Sequence, residues 1–339
     1  MSRYEERCEE LQARPRRWLV TGVAGFIGSN LLLRLLELGQ TVVGVDNFST
    51  GKRANLELVR DQLQSPAWTR FIFNEGDIRD LETCRRSCAG VDIVLHQAAL
   101  GSVPRSLQDP IASHQSNVDG FLNMLVAARE DGNARMVFAS SSSVYGDDPN
   151  LPKVEAYTGN PLSPYALTKV IDESYAEIFR RAYDFKCIGL RYFNVFGPNQ
   201  NPSGPYAAVI PRWFETMLQG EVCLIHGDGE TSRDFCYVAN VVQANILAGT
   251  APEASLGEMF NVSFGGTTTL TRLHGMIRER LLVARPGLAL GEATYTPVRP
   301  GDVRHSQADL TKIKAHLGYQ PTHDIEQGLD ELARWYTRS

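Results

Sequence analysis

No run of the sequence approaches the ~18 apolar residues that a membrane-spanning helix needs. The first residues, MSRYEERCEELQARPRR, have no apolar core and do not read as an export signal. They read as a short charged helix with Tyr4, Cys8 and Leu11 on one face, ending near Pro15. Excess positive charge is also missing: 34 Lys+Arg stand against 39 Asp+Glu, a net charge of −5, so a nucleic-acid footprint is not expected. Cysteine is sparse. Six thiols without an export signal are expected to be reduced, in the cytoplasm. Cys84 and Cys88 lie four apart on a helical stretch, but no other pair has ligand spacing, so no metal site is expected and burial accounts for the thiols. There is no internal repeat and no low-complexity tract. What is present is an ordinary globular composition, 43% hydrophobic and 22% charged over 339 residues, enough for a full core and two lobes.

The most informative segment is TGVAGFIG, Thr21 to Gly28. It follows the apolar run Trp18-Leu19-Val20 and opens an apolar-periodic stretch, Phe26 to Leu38, giving strand, glycine turn and helix. Gly22, Gly25 and Gly28 leave room for backbone to approach a pyrophosphate at the positive end of a helix. Taken alone, the triplet is a weak signal, because a tight turn with no ligand uses the same residues. A second apolar strand, Thr41 to Val45, ends in Asp46, near the offset of about 20 residues at which an acidic group meets the adenosine ribose. Together these read as a dinucleotide site. Asp46 would repel a 2′-phosphate, which favours NAD over NADP.

Strand-like runs lie near Trp18–Gly22, Thr41–Asp46, Arg70–Asn74, Asp92–His96, Arg135–Ser140 and Lys186–Arg191. Amphipathic helices such as Asp119–Arg129 and Ser163–Ala182 intervene. This alternation predicts an α/β fold, a Rossmann-type doubly wound parallel sheet with a smaller C-terminal substrate lobe. After Arg191 the texture changes, and NQNPSGPY (199–206) reads as a long connection. The helical run Asn240–Ala248 and a strand at Met259–Val262 return to the first lobe. The expected division is a helical extension at 1–16, a dinucleotide domain at 17–194 with 238–262, and a substrate domain at 195–237 with 263–339.

Tyr165-Ala-Leu-Thr-Lys169 sets a phenol and an amine four residues apart, on one helix face. A free tyrosine titrates near pH 10 and is a poor base at neutrality. A nearby ammonium and an oxidised nicotinamide would both favour the phenolate. Alone, such a pair is usually a surface feature. Here Ser163-Pro164 marks a helix start just before it. A serine cluster, Ser140 to Ser143 followed by Val144-Tyr145-Gly146, lies upstream at the end of the fifth strand. Ligands bind at strand carboxyl ends in such sheets.

TGVAGFIG, the serine cluster and YALTK together resemble the extended short-chain dehydrogenase/reductase family, over nearly the whole chain. The resemblance implies a catalytic set of Ser141, Tyr165 and Lys169, with Ser143 beside it. It implies an NAD cleft formed by Gly22, Gly25, Phe26, Ile27 and Gly28, then by Asp46, Asn47, Ser49, Thr50 and Gly51. Asp77 and Ile78 would meet the adenine. Gln97, Ala98 and Ala99 would line the cofactor after the fourth strand, with His96 packing nearby and Asn117 as a structural, cofactor-side asparagine. In the strand-six motif RYFNVFGP, Tyr192 would flank the nicotinamide and Asn194 would touch the substrate diphosphate.

Within that family, HQAALGSVPRS, YAAVIPRW, GDGETSRDFCYV and RPGDVRHS resemble bacterial UDP-N-acetylglucosamine 4-epimerases of the O-antigen type. The resemblance implies a UDP-sugar site with Arg233, Arg299 and Asp302 at the nucleotide and diphosphate. Ala208, Val209, Trp213, Leu224 and His226 would sit around the uridine, and Ser102, Ser141, Ser143 and Ser306 around the sugar. Ser306 aligns with a position that holds tyrosine in epimerases limited to unacetylated sugars. Ala239-Asn240 departs from the acidic residue many relatives carry. The implied reaction is reversible, NAD-dependent C4 epimerisation of UDP-N-acetylglucosamine, with weaker action on plain UDP-hexoses.

A 4,6-dehydratase needs acidic groups beside the catalytic hydroxyl, where this chain has Ser141-Ser142-Ser143. A UDP-glucuronate-type or N-acetylhexosaminuronate 4-epimerase, a decarboxylase and a non-enzymatic NAD sensor are the other readings. The apolar stretches of Ile111–Glu130 and Ser163–Ala182, paired across a two-fold axis in the family, imply a homodimer.

Overall fold

The computed structural model describes residues 1–63, 65–132, 134–203, 207–297 and 303–337. Its centre is a seven-stranded sheet: β1 Arg17–Thr21, β2 Thr41–Asp46, β3 Phe71–Glu75, β4 Ile93–His96, β5 Arg135–Ser141, β6 Cys187–Tyr192 and β7 Met259–Val262. The spatial order is β7-β6-β5-β4-β1-β2-β3, and every pairing is parallel. Interior strands such as β2 (TVVGVD) and β6 (CIGLRY) are almost wholly buried, as a sheet covered by helices on both faces requires. The strand order reverses at β1 and β4, and that switch point opens a crevice beyond their carboxyl ends.

Observed strand limits differ by a residue or so from those expected. The first strand stops at Thr21 because Gly22 turns out of it at φ +66°. Helix Gly120–Glu130 is preceded by a π-turn, Gln115–Asp119, and by a short helix, Pro110–His114. The chain returns from the second lobe along helix Val238–Gly249, whose residues are nearly all buried. The helix at Arg3–Ala13 opens with a capping box from Ser2 and Glu5 and buries Cys8 and Leu11. Buried Gln40 ties it down, donating to Leu11 O at 2.9 Å and accepting from Arg16 N at 2.9 Å.

Residues beyond β6 form short two-strand pairings. Val195–Phe196 joins Cys236–Tyr237, Ser232–Arg233 joins Thr268–Thr269, and Leu224–His226 joins Thr294–Thr296. Helices Val209–Leu218, Leu270–Ala284 and Ile325–Thr337 close around a separate core that includes Phe196, Trp213, Phe214 and Leu329. Asn240 anchors the incoming C-terminal segment, accepting from Thr322 N at 2.8 Å and donating to His323 O at 2.7 Å. Among the described residues no helix is long and apolar enough to cross a membrane, and no group of three or more His, Cys, Asp or Glu has the arrangement to hold a metal. Cys84 and Cys88 are both buried in helix Leu81–Cys88.

Candidate active site

The crevice at the switch point is a cavity of about 400 Å³. Gly22 starts it, donating its N–H to Val45 O at 2.8 Å. A Cβ at Gly22 would lie 2.9 Å from the Ala98 backbone, and one at Gly28 would lie 2.1 Å from Gly22 O. Side chains are therefore excluded where helix Phe26–Glu37 begins. That helix has no side-chain cap, because Gly25 occupies the cap position. Uncapped N–H groups and the positive helix end face a wall shared by Gly22, Gly25, Phe26, Ile27 and Gly28. A diphosphate fits this glycine cradle.

Asp46, at the end of β2, is buried, and its carboxylate accepts from Ala24 N at 2.9 Å and Phe48 N at 2.8 Å. Burial pushes its pKa up, and the two backbone donors oppose the shift. Asn47 donates to Asp77 at 2.8 Å, and the adjacent Arg79 guanidinium holds Asp77 down at about 2. Asn47, Ser49, Thr50, Asp77 and Ile78 line the same cavity, a polar rim with one apolar wall.

On the β4 side, Thr21 Oγ1 accepts from Gln97 N at 3.2 Å and Ala98 N at 3.1 Å, which leaves its proton for His96 Nδ1 at 2.9 Å. His96 therefore carries its proton on Nε2. Burial first, and Lys169 second, depress its pKa to about 3, so it stays neutral and structural. Gln97 belongs to a closed ring of hydrogen bonds. Tyr192 OH donates to Gln97 Oε1 at 3.1 Å, Gln97 Nε2 donates to Asn245 Oδ1 at 3.1 Å, and Asn245 Nδ2 donates to Tyr192 OH at 2.8 Å. Burial holds the Tyr192 phenol well above its ordinary range, so it remains a neutral wall.

Ser141, Tyr165 and Lys169 line this cavity together with Tyr192 and Asn194. Ser141 closes β5, and its hydroxyl accepts from Ser143 N at 3.1 Å and Ser143 Oγ at 3.0 Å. With both lone pairs engaged, its own O–H is left to donate. Tyr165 stands in the first turn of the helix Pro164–Tyr183, which Ser163 caps through Ala166 N at 3.1 Å. Its backbone N–H donates to Ser106 Oγ at 3.0 Å, so the backbone is fixed independently of the phenol. One turn on, the buried Lys169 ammonium donates to Asp172 at 3.0 Å. Behind the serines, Arg191 forks onto Glu173 at 2.9 and 2.8 Å, and Ser140 donates to the same carboxylate at 2.6 Å.

Two further cavities meet the first at Asn194, a non-glycine residue held at φ +33°. The larger, about 600 Å³, is lined by Ala208, Val209, Trp213, Leu224, His226 and Arg233. His226 Nδ1 lies 2.7 Å from Thr296 Oγ1, and Arg233 donates to Ser232 O at 3.0 Å and Arg304 O at 3.1 Å. The smaller, about 230 Å³, is lined by Ser142, Ser143, Ser163, Lys153, His305 and Ser306 among others. Next to Arg233, buried Asp234 accepts from Gly265 N at 3.2 Å and Ala308 N at 3.0 Å and ties those segments together.

A model of the NAD dependent epimerase/dehydratase family matches residues 18–263. The chain belongs to that family. The UDP-glucose 4-epimerase of Mycolicibacterium smegmatis is 37% identical over 322 residues, 94% of this chain and 98% of that protein. A solved UDP-N-acetylglucosamine 4-epimerase from Methanobrevibacter ruminantium, in complex with UDP-N-acetylmuramic acid, is similar with a TM-score of 0.86 at 36% identity. It covers 95% of this chain and 98% of its own. Thermus thermophilus UDP-glucose 4-epimerase, solved with NAD, gives 0.82 at 33% identity, covering 95% and 99%. This chain is thus an enzyme of the UDP-sugar epimerase/dehydratase family, an extended short-chain dehydrogenase/reductase with NAD as its cofactor.

Not every residue expected at the epimerase/dehydratase site faces it. Asn117 is buried behind the cavity, accepting from Leu100 N at 2.7 Å and donating to Thr168 Oγ1 at 3.1 Å. It fastens the post-β4 loop to the catalytic helix. Ser102, at φ +90°, caps the short helix Val103–Gln108 and does not line the three cavities. Gly51 acts from behind, since a Cβ there would lie 2.8 Å from the Asp46 carboxylate. Arg299 and Asp302 lie outside the described residues. Sequence reasoning missed Gln200 on the cofactor cavity, Asn245 in the hydrogen-bonded ring, Lys153 and His305 on the small cavity, and Asp172.

Proposed function

We propose that the enzyme interconverts UDP-N-acetylglucosamine and UDP-N-acetylgalactosamine at C4. The observation that carries this reading is the third cavity. Ser142, Ser143 and Ser306 wall it with small hydroxyl side chains, next to Asn194 and Arg233, and its 230 Å³ leaves room for an acetamido group. Ser306 is fixed by its backbone N–H, which donates to Ser232 O at 3.1 Å.

In this reading Tyr165, as phenolate, takes the proton of the sugar 4-hydroxyl. Ser141 donates its free O–H to the same oxygen. Lys169 supplies positive charge under Tyr165 and would also hold the nicotinamide ribose. Arg233 and Asn194 anchor the diphosphate and Trp213 and Leu224 enclose the uridine; Arg299 and Asp302 are assigned to the nucleotide from their sequence motif alone. The Gly22–Gly28 cradle and Asp46 would hold NAD, which would supply the reversible two-electron chemistry at C4. The 4-keto sugar turns over within the junction of the three cavities while the nucleotide stays fixed, and Tyr165 returns the proton. Holding the nucleotide makes the return step intramolecular.

Product analysis with UDP-Glc, UDP-Gal, UDP-GlcNAc and UDP-GalNAc tests the reading. The expected result is rapid exchange of the acetylated pair, without added reductant, and slower exchange of the plain pair. Exclusive turnover of the plain pair, or of a uronic acid, contradicts it.

The enzyme works, in this proposal, as a cytoplasmic homodimer. The described cysteines are free and buried, which suits a reducing compartment. Helix Pro164–Tyr183 turns Leu167 and Ile178 outward at 47% and 55% exposure, and the two short helices packed against it carry exposed Leu107 and Ile111. A second copy is expected to cover these exposed apolar side chains. Light scattering at micromolar protein is expected to give the mass of two chains; a monomer contradicts it.

A further inference from the structure

Lys169 sits on the buried side of the catalytic helix, with 3% of its side chain exposed, and its hydrogen-bond partner there is a carboxylate. Asp172, one turn further on, is fully buried and accepts from Lys169 Nζ through Oδ2 at 3.0 Å. Its other oxygen, Oδ1, has no hydrogen-bond partner among the described residues. A buried carboxylate with one oxygen unsatisfied is costly. Its one side-chain hydrogen-bond partner among the described residues is the ammonium that serves the catalytic phenol.

We propose that Asp172 is a positioning residue, whose carboxylate anchors the Lys169 ammonium beneath the site and offsets part of its charge. The proposal rests on the assignment of Tyr165 and Lys169 to proton transfer. Burial works against a charged Lys169. Asp172 first, and Tyr165 second, more than offset this, and the lysine lies above its ordinary range. Burial pushes the Asp172 carboxyl up, and the Lys169 ammonium beside it pulls it back down and favours its ionised form.

The other charges around the pair do not replace it. His96 on β4 is neutral. Glu173, next on the same helix, is occupied by Arg191 from β6 and Ser140 from β5. The π-turn Gln115–Asp119 presents neutral Asn117 to Thr168. Helix Gly120–Glu130 brings Arg129 only to the Tyr183 ring at the far end. Helix Pro110–His114 carries His114, which is exposed beside Asp119. Arg105 belongs to helix Val103–Gln108, which meets the first turn of the catalytic helix through Ser106.

Two consequences separate this role from simple packing. Without the carboxylate, the undiluted ammonium favours the phenolate, so the acid limb of the pH profile moves down. Lys169 also loses what holds its proton in a dry site, so the alkaline limb moves down as well. The test is Asp172→Asn, which keeps the shape and an acceptor and removes the charge. Both limbs of kcat/KM are expected to shift to lower pH by roughly 0.5–1 unit, and Asp172→Glu is expected to restore them. Asp172→Ser also removes the charge and takes the place of the Asn variant should that fail to fold.

A second readout needs no turnover. In protein labelled with ¹³C at lysine Cε, with the Lys169 resonance assigned by its loss in Lys169→Met, that resonance is expected to titrate at lower pH in Asp172→Asn than in the parent. This result stands or falls whichever UDP-sugar is the substrate. A lower rate or melting temperature with unmoved limbs, or superimposable lysine titrations, overturns the proposal.

Discussion

Replacing Tyr165 with phenylalanine removes nearly all turnover, about 10²–10⁴-fold in kcat, the range expected for a lost proton-transfer group, while the UDP-sugar still binds. The ring keeps its place because the backbone is held by Ser106 Oγ and the Ser163 cap, neither of which touches the phenol oxygen. Only the ionisable oxygen is lost. The binding groups assigned to the nucleotide, among them Arg233 and Trp213, lie in the second cavity and are untouched. Steady-state rates paired with calorimetric binding of UDP-N-acetylglucosamine separate the two effects. A variant that turns over at near the parental rate assigns the base to another residue.

Ser306→Tyr closes the third cavity. A tyrosine ring in a recess of 230 Å³, walled by Ser142, Ser143 and Leu162, occupies the room needed by an acetamido group. The plain sugars do not need that room, so their turnover is expected to be kept or improved. The ratio of kcat/KM between acetylated and plain substrates is expected to fall by roughly 10²-fold or more, since steric exclusion discriminates well against the larger ligand. An unchanged ratio removes Ser306 as the gate and takes the hexosamine assignment with it.

Much of this molecule is legible without coordinates where local chemistry and tertiary structure demand the same thing. The apolar run of β2 and its terminal Asp46, the glycines before helix Phe26–Glu37, and the Ser163-Pro164 start of the catalytic helix are local signals that the fold keeps. Legibility ends where partners come from far along the chain. Ser232–Arg233 and Thr268–Thr269 are strands only because they face each other, and neither has a periodicity of its own. Asn245 lies in an otherwise apolar helix, and its role appears only when Gln97 and Tyr192 arrive from β4 and β6. Asp172 reads as one more polar residue on a charged helix until the sheet buries that face. Asn117 and Ser102 have the residue types of site groups, but Asn117 fastens the post-β4 loop to the catalytic helix and Ser102 caps a short helix.

The most direct test of the account is to run the reaction with UDP-N-acetylglucosamine in heavy water, with no added nucleotide or reductant. UDP-N-acetylgalactosamine with no deuterium bound to carbon is the expected product, because the C4 hydrogen never exchanges with solvent and Tyr165 moves only the hydroxyl proton. Failure to form that product, or a product carrying deuterium on carbon or lacking the elements of water, would contradict it.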